Sequence, residues 1–246
     1  MRCLIVSDIH GNLAAFDAVL QAASEYDQVW CLGDIVGYGP DPHECIQRLR
    51  SLPFVAVAGN HDWAVVNHRV DLNDFNADAQ EAARWTHKQL TPEDKDFLAQ
   101  LPDRRVLEGF TLVHGSPRRP VWEYILQPSV ARASFAHFDT RFCLVGHTHV
   151  PILYALVEGR DGTRCRTQIP PQDEPLHLAE ASRMIINPGS VGQPRDGNPL
   201  AAYAILDTEA QTLSFHRQDY AVEKTQRKMK EHNLPPRLIA RLPLGR

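Results

Sequence analysis

Five short apolar runs in the 246-residue sequence each end on side chains that can ligate a cation or carry a proton. "CLIVSDIHGN" ends on Asp8 and His10, and "VWCLGDIVGYG" ends on Asp34. "FVAVAGNHDW" ends on Asn60, His61 and Asp62, "FTLVHGSP" on His114, and "CLVGHTHV" on His147 and His149. Each piece alone is weak: Asp-x-His arises by chance, and one histidine after a strand is more often a hydrogen-bonded rim residue. Their common placement carries the information. Gathering several carboxylates and imidazoles in one buried place is opposed by desolvation and by repulsion, and metal ions at the centre remove that conflict.

Such a cluster needs elements that bring distant residues to one edge. "CLIV" (3–6), "QVWCLG" (28–33) and "FVAVAG" (54–59) are continuous apolar runs, as expected for strands covered on both faces. Between the first two, Leu13, Phe16, Leu20 and Ala23 recur at helical spacing behind Asn12, a natural N-cap. "DPHECIQRLRSL", with Pro42 in its first turn, reads as a helix between the second and third. The pattern predicts a βαβαβ unit with a parallel sheet, in which binding groups collect at the carboxyl ends of the strands.

Residues 62–103 interrupt this pattern with helices. Phe75, Ala79, Ala82, Ala83, Thr86 and Leu90 make one face, and Thr91, Pro92 and Asp94 open a second helix with a capping box. Strand signals return at 104–107, 110–114 and 141–145. A hairpin follows that turns at Asp161-Gly162, then "RMIINPGS", "AAYAILDTEAQTLSFHR" and a helix near 220–231, with "PPQDEP" (170–175) as a loop. With no repeat or linker, one domain over 1–246 carrying a helical insertion at about 62–103 is expected.

Composition narrows the class further. A net charge of −4 argues against nucleic acid and anionic membranes as general partners. The basic cluster Arg227, Lys228 and Lys230, broken by Glu231, reads as a solvated helix face. The five cysteines lack C-x-x-C spacing, and Cys3, Cys31 and Cys143 lie in strand-like runs, so buried reduced thiols are expected. With no signal-peptide pattern and no apolar run near the ~20 residues of a membrane span, the expected location is the cytoplasm.

The ordered series "DIH … GD … GNHD … VHG … GHTH", extended by "INPGSVGQPRDG" (186–197), resembles the calcineurin-like metallophosphoesterase superfamily, most closely its small phosphodiesterase-type members. The resemblance implies an α/β fold of two packed mixed β-sheets flanked by helices, a four-layer α/β/β/α sandwich. It also implies two divalent metal ions. Asp8, His10 and His149 would bind the first, Asn60, His114 and His147 the second, and Asp34 would bridge them. His61 would stand beside them as a catalytic residue without ligating. Carboxylate, imidazole and amide ligands suit Mn²⁺, Fe, Zn²⁺, Co²⁺ or Ni²⁺.

The implied reaction is hydrolysis of a phosphoester by water activated between two cations. Asp62 would either orient His61 or cap the following helix from a solvent-exposed position. Protein phosphatases of the superfamily carry an Asp and a phosphate-gripping Arg after Gly-Asp, and "GDIVGYGPDP" has neither at those places. That favours diesters, or small phosphorylated metabolites, over phosphoproteins. Arg195 is a candidate substrate contact, with Arg118 and Arg119 weaker ones. The remaining histidines (His43, His68, His87, His137, His177, His216, His232) are read as ordinary surface or core residues. The alternatives are a phosphomonoesterase, a nuclease, which would require a basic surface that the sequence lacks, and a non-catalytic protein-binding scaffold of the same fold.

Overall fold

A computed structural model describes residues 1–23, 25–67, 69–159, 162–179 and 182–246. The chain opens as the sequence predicts, with β1 (Arg2–Val6), α1 (Leu13–Ala22), β2 (Gln28–Cys31), α2 (Pro42–Arg50) and β3 (Phe54–Ala56). β1 pairs parallel with β2, and β2 pairs parallel with β3. Next come α3 (Asn60–Val65), α4 (Ala77–Gln89), α5 (Pro92–Gln100), β4 (Arg104–Leu107), β5 (Phe110–Val113), α6 (Pro128–Ser134) and β6 (Phe142–Leu144). The helical face predicted for 75–90 is the one that packs: Ala79, Ala82, Ala83, Thr86 and Leu90 are buried. The Thr91–Asp94 capping box forms as read.

The second half is strand-rich. β7 (Ile152–Gly159) and β8 (Gly162–Gln168) make the predicted antiparallel hairpin, with Gly162 at φ +99°. Asp161 of the expected turn pair lies outside the described residues, as does His68. β9 (Pro175–His177), β10 (Met184–Asn187), β11 (Ala201–Asp207), β12 (Thr212–Gln218), α7 (Val222–Glu231) and α8 (Pro236–Arg241) complete the chain. α6, α8 and the short strand β9 were not predicted; each is too short to show a hydrophobic period.

The strands form two six-stranded mixed sheets, ordered β3-β2-β1-β11-β12-β9 and β4-β5-β6-β10-β7-β8. Alternation along each strand explains the layering. Cys3, Ile5, Trp30 and Leu32 point inward and meet Leu112, Phe142, Leu144 and Ile186 of the other sheet. Leu4, Val6, Val29 and Cys31 point outward to Phe16, Val19, Ile46 and Leu49 on α1 and α2. Cys143, Val145 and Ile185 face Ala131 of α6 and Phe135 on the far side. The result is the expected four-layer α/β/β/α sandwich. All five cysteines are free, four buried and Cys165 partly so. Among the described residues no helix is long and apolar enough to cross a membrane.

Asn12 does more than the cap assigned to it. Its Oδ1 accepts from the Ala15 N–H (3.2 Å) and from Thr225 Oγ1 of α7 (2.9 Å), while its Nδ2 donates to the Gly192 carbonyl (2.9 Å). One buried amide thus ties the first helix to the 186–197 loop and to a C-terminal helix. A lost cap costs about 1 kcal/mol and each further buried bond a similar amount. Asn12→Ala is therefore expected to lower unfolding stability by about 2–3 kcal/mol. Asn76→Ala, which removes only the α4 cap, should cost about 1 kcal/mol. Urea denaturation of both variants checks the difference; equal losses would contradict it.

Candidate metal centre

The site forms where the carboxyl ends of β1, β2 and β3 in one sheet meet those of β5 and β6 in the other. Asp8 and His10 follow β1, Asp34 follows β2, Asn60 opens α3 after β3, His114 follows β5, and His147 and His149 follow β6. All seven are buried, none more than 2% exposed. Three groups of potential ligand atoms each lie within 4.8 Å of one another: Asp8, His10 and His149; Asp34, His114 and His147; and His10, Asp34 and His61. Asn60 joins the second through its Oδ1, 3.2 Å from His114 Nε2.

Local backbone conformation turns these side chains inward. Asp8, His10, Asp34, His147 and His149 all have φ between 50° and 65°. A left-handed residue other than glycine costs about 1–3 kcal/mol and persists only where its surroundings enforce it. Here the enforcement is mutual. The His10 N–H donates to the Asp34 carbonyl (2.9 Å), the Asp8 N–H to the Gly33 carbonyl (3.0 Å), and the His147 N–H to Asp8 Oδ2 (3.1 Å). Glycine fills the crowded approaches: a Cβ on Gly59 would stand 2.0 Å from Asp34 Oδ1.

Four imidazoles are oriented by the same device. His10 Nδ1 lies 3.2 Å from the Val36 carbonyl, His114 Nδ1 2.8 Å from that of Leu32, and His149 Nδ1 2.6 Å from that of Gln193. His147 uses Nε2, 3.1 Å from the Trp122 carbonyl. A carbonyl only accepts, so the proton of each neutral ring sits on that nitrogen and the other nitrogen turns a lone pair inward. Those lone pairs then face each other, at 3.2 Å between His10 and His149 and 3.1 Å between His114 and His147. They also face carboxylate oxygens: His149 Nε2 is 3.2 Å from Asp8 Oδ1, and His114 Nε2 is 3.2 Å from Asp34 Oδ2.

Acceptors gathered against acceptors repel unless a cation lies between them. Asp8 Oδ1 is buried with no hydrogen-bond partner. The donor set fits divalent ions with borderline preferences, and the main-chain bonds behind the rings are the outer support that metal-binding histidines use.

Electrostatics agree. Burial would raise the Asp8 and Asp34 carboxyls, but the surrounding histidines win and hold both well below the usual range. Burial works against a charge on His114, yet Asp34 beside it more than reverses this and lifts its pKa to about 9. Burial pulls His10, His147 and His149 below the ordinary imidazole value.

His61 and Asp62 sit at the rim of this cluster. His61 is buried, and its main-chain N–H donates to Asp34 Oδ1 (2.9 Å). Its ring packs against Tyr38 and Phe75, at 4.4 and 4.8 Å between centroids. Asp62 corrects the expectation for it, since it is neither solvent-exposed nor bonded to His61. Fully buried in the first turn of α3, its Oδ1 accepts the Ile35 and Val36 N–H groups (2.9 and 3.2 Å) and its Oδ2 accepts the Gly59 N–H (2.9 Å). It clamps the loop carrying Asp34 to the one carrying Asn60. Burial, reinforced by the Asp34 charge, pushes its carboxyl up to about 7.

Arg195 is half-buried near the site, with its guanidinium carbon 5.9 Å from the Tyr38 ring centroid. Arg118 and Arg119 are exposed, and Arg118 pairs with Glu123 at 3.6 Å. Lys228 pairs with Asp41, while Arg227 and Lys230 are exposed as expected. His43 pairs with Asp94 (2.7 Å), His216 with Asp173 (2.7 Å), and His87 with the Val65 carbonyl (2.6 Å).

Three contributors were not singled out in the sequence. Tyr38 packs on His10 and His61, Tyr124 stacks on His147 with centroids 3.7 Å apart, and Asn187 bonds the Gly146 carbonyl and Thr148 between the two histidines. Of these, Asn187 had a clue in its "NPGS" setting.

Residues 1–211 match the family model of the calcineurin-like phosphoesterase superfamily domain, and the chain belongs to that family. A metallophosphoesterase from Sphaerobacter thermophilus is 45% identical and superposes with a TM-score of 0.88, covering 100% of this chain and 99% of that one. An uncharacterised protein of Methanocaldococcus jannaschii is 36% identical over 98% of this chain and 97% of its own length. The chain is also similar to the Escherichia coli phosphodiesterase YfcE, at 26% identity over 85% of this chain and 89% of that protein. A symmetrical bis(5'-nucleosyl)-tetraphosphatase of Pectobacterium atrosepticum is 34% identical over 39% of this chain and 41% of its own length. The fold and the family together make this chain a metal-dependent phosphoric ester hydrolase.

Removing metal should leave the facing acceptors uncompensated. A ligand present at a thousandfold its Kd stabilises the native state by about 4 kcal/mol. At roughly 2–4 °C per kcal/mol for a chain of this size, EDTA-treated protein should melt on the order of 10 °C below protein reloaded with Mn²⁺ or Zn²⁺. Scanning calorimetry checks this; identical melting in both forms would contradict it. Asp62→Asn must turn an amide N–H toward a main-chain donor, and should cost about 1–3 kcal/mol with metal or without.

Proposed function

We propose that the chain hydrolyses phosphodiester bonds of nucleotides or similar small phosphorylated molecules, with two divalent cations held in the cluster. Asp8, His10 and His149 would hold one, Asn60, His114 and His147 the other, and Asp34 would be shared. The observation that carries this reading is the orientation of the four imidazoles, each bonded outward to a main-chain carbonyl and turned inward by its lone pair. When bound, such a pair of cations lowers the pKa of water and neutralises charge on phosphate oxygens.

The chain's own residues would do the rest. His61 is given the leaving oxygen. Burial keeps its imidazole neutral, with a pKa pulled down to about 4 against the opposing charge of Asp34. It therefore presents one N–H, able to bond to a phosphate or leaving oxygen. Asp34 fixes its position through the main-chain bond, and Tyr38 and Phe75 hold the plane of the ring. Arg195, which makes no ion pair among the described residues, supplies a positive charge beside Tyr38 for the substrate. The phosphodiesterase name of one relative matched over most of its length supports the diester reading, and the tetraphosphatase name supports a nucleotide substrate. A protein-binding scaffold has no use for this complete set of donors.

The test is hydrolysis of bis-p-nitrophenyl phosphate beside p-nitrophenyl phosphate by metal-loaded protein. Diester turnover should exceed monoester turnover, and both Asp34→Asn and His61→Ala should lose about 10²-fold or more. Unchanged rates in the variants would overturn the reading, and a preference for the monoester would replace it with a phosphatase.

A further inference from the structure

A second feature of the same face is a cavity of about 460 Å³ lined by Tyr38, Asn76, Asp78, Arg237, Leu238 and Arg241, among others. That is within the size range of small-molecule sites. Tyr38 belongs to both places: its ring lies 4.6 Å from that of His10 and 4.4 Å from that of His61, and it also forms part of the cavity wall. Arg195 stands over the same ring, with Nη2 bonded to Gln193 Oε1 (2.9 Å) and a buried Nε that has no partner.

Arg237, Arg241 and Arg246 thus line one cavity beside the metal centre of an acidic chain, and Arg195 stands over the Tyr38 ring at its edge. Elsewhere, Arg2, Arg48, Arg118 and Arg217 each meet a carboxylate. Among the described residues Arg195, Arg237 and Arg241 make no ion pair with a side-chain carboxylate, and the Arg241 Nε donates to the main-chain oxygen of Arg246. Asp78, the acidic residue in the lining, is not in direct contact with them but attracts the Arg241 charge. The convergence has a cost: burial pulls the pKa of Arg241 below its ordinary value and the Arg195 charge pulls it further. Like charges that outnumber the carboxylates among them are stabilised by an added anion, and planar guanidinium forks match phosphate oxygens.

Resting on the diesterase reading above, we propose that this cavity is an anion subsite for a second phosphate of the substrate. The preferred substrates are then phosphodiesters that carry a further phosphate on the same molecule. Arg195 spans the two positions, while Arg237 and Arg241 receive the distal group. Tyr124, 42% exposed and stacked on His147, offers an aromatic face to the organic part between them.

A matched pair of chromogenic esters tests this: thymidine 5'-(p-nitrophenyl phosphate) with and without a 3'-phosphate. Metal-loaded protein should favour the 3'-phosphorylated ester by at least tenfold in kcat/KM, mostly through KM. Arg241→Gln and Arg237→Gln should each cut that ratio at least threefold, and Arg241→Lys should retain part of it. Because the readout is a ratio within one protein sample, partial misfolding does not imitate the effect. Calorimetric binding of thymidine 3',5'-bisphosphate against thymidine 5'-monophosphate reads the same subsite without turnover, and the two Kd values should separate in the wild type and converge in the variants. A wild-type ratio near one, or a ratio unchanged in both glutamine variants, overturns the subsite. Absence of turnover on both esters overturns the diesterase reading instead, and the Kd ratio then still decides whether the subsite exists.

Discussion

Two buried carboxylates and four inward-facing imidazole lone pairs occupy one small volume, and the surrounding fold is organised around that conflict. With the outward nitrogen of each ring committed to a main-chain carbonyl, only an extra proton or a cation among the inward nitrogens relieves it. Asp34 draws a proton onto His114, whose inward N–H can bond to Asp34 and His147, but burial and the His114 charge oppose a second imidazolium on His147. A cation bonded to several lone pairs at once relieves the conflict. The apolar interior around the site strengthens every one of these interactions, attractive and repulsive alike.

The rest of the chain can be understood as what holds that volume in place. The two sheets contribute from opposite sides, so neither half of the cluster forms without the sandwich. Their inner faces, with Trp30 and Ile5 on one side and Leu112 and Leu144 on the other, set the separation of the strand ends. Between the ends run cross-links of main-chain polarity: the Val191 N–H to the Ser7 carbonyl, the Ser190 hydroxyl to the Asp8 carbonyl, and the Gly146 N–H to the His114 carbonyl. Asn187 closes the turn between His147 and His149 from beneath. Left-handed backbone at five positions of the cluster is tolerable only because these bonds over-determine it.

The clustered carboxylates and imidazoles were legible in the sequence because each adjoins a strand with a strong apolar signal, and the βαβαβ start was legible because strands covered on both faces read as continuous runs. Four kinds of feature were not. Trp122 acts through its carbonyl, which has no side-chain signature. Asp62 follows two site residues at a helix start, a place where an exposed cap is the ordinary outcome, and only the three-dimensional approach of the Ile35 and Val36 N–H groups makes it a buried clamp. Sheet membership was likewise hidden: β1 pairs antiparallel with β11, some two hundred residues later, and no local pattern encodes that partnership. The arginines around Tyr38 come from segments at 195 and 237–241 and meet only through the fold.

The same hydrogen-bond logic separates His61 from its neighbours. By distance alone it belongs with His10 and Asp34, and its ring could serve as another ligand. Yet neither of its ring nitrogens has a hydrogen-bond partner among the described residues, and Nδ1 is buried without one. A ring pinned at one nitrogen has its tautomer and direction set, which suits holding an ion in a constant geometry. An unpinned ring, confined by the aromatic faces of Tyr38 and Phe75 but free in tautomer, suits a group that must bond to oxygens whose charge changes during a reaction. The difference between four pinned imidazoles and one unpinned imidazole thus follows from where the main-chain carbonyls happen to lie.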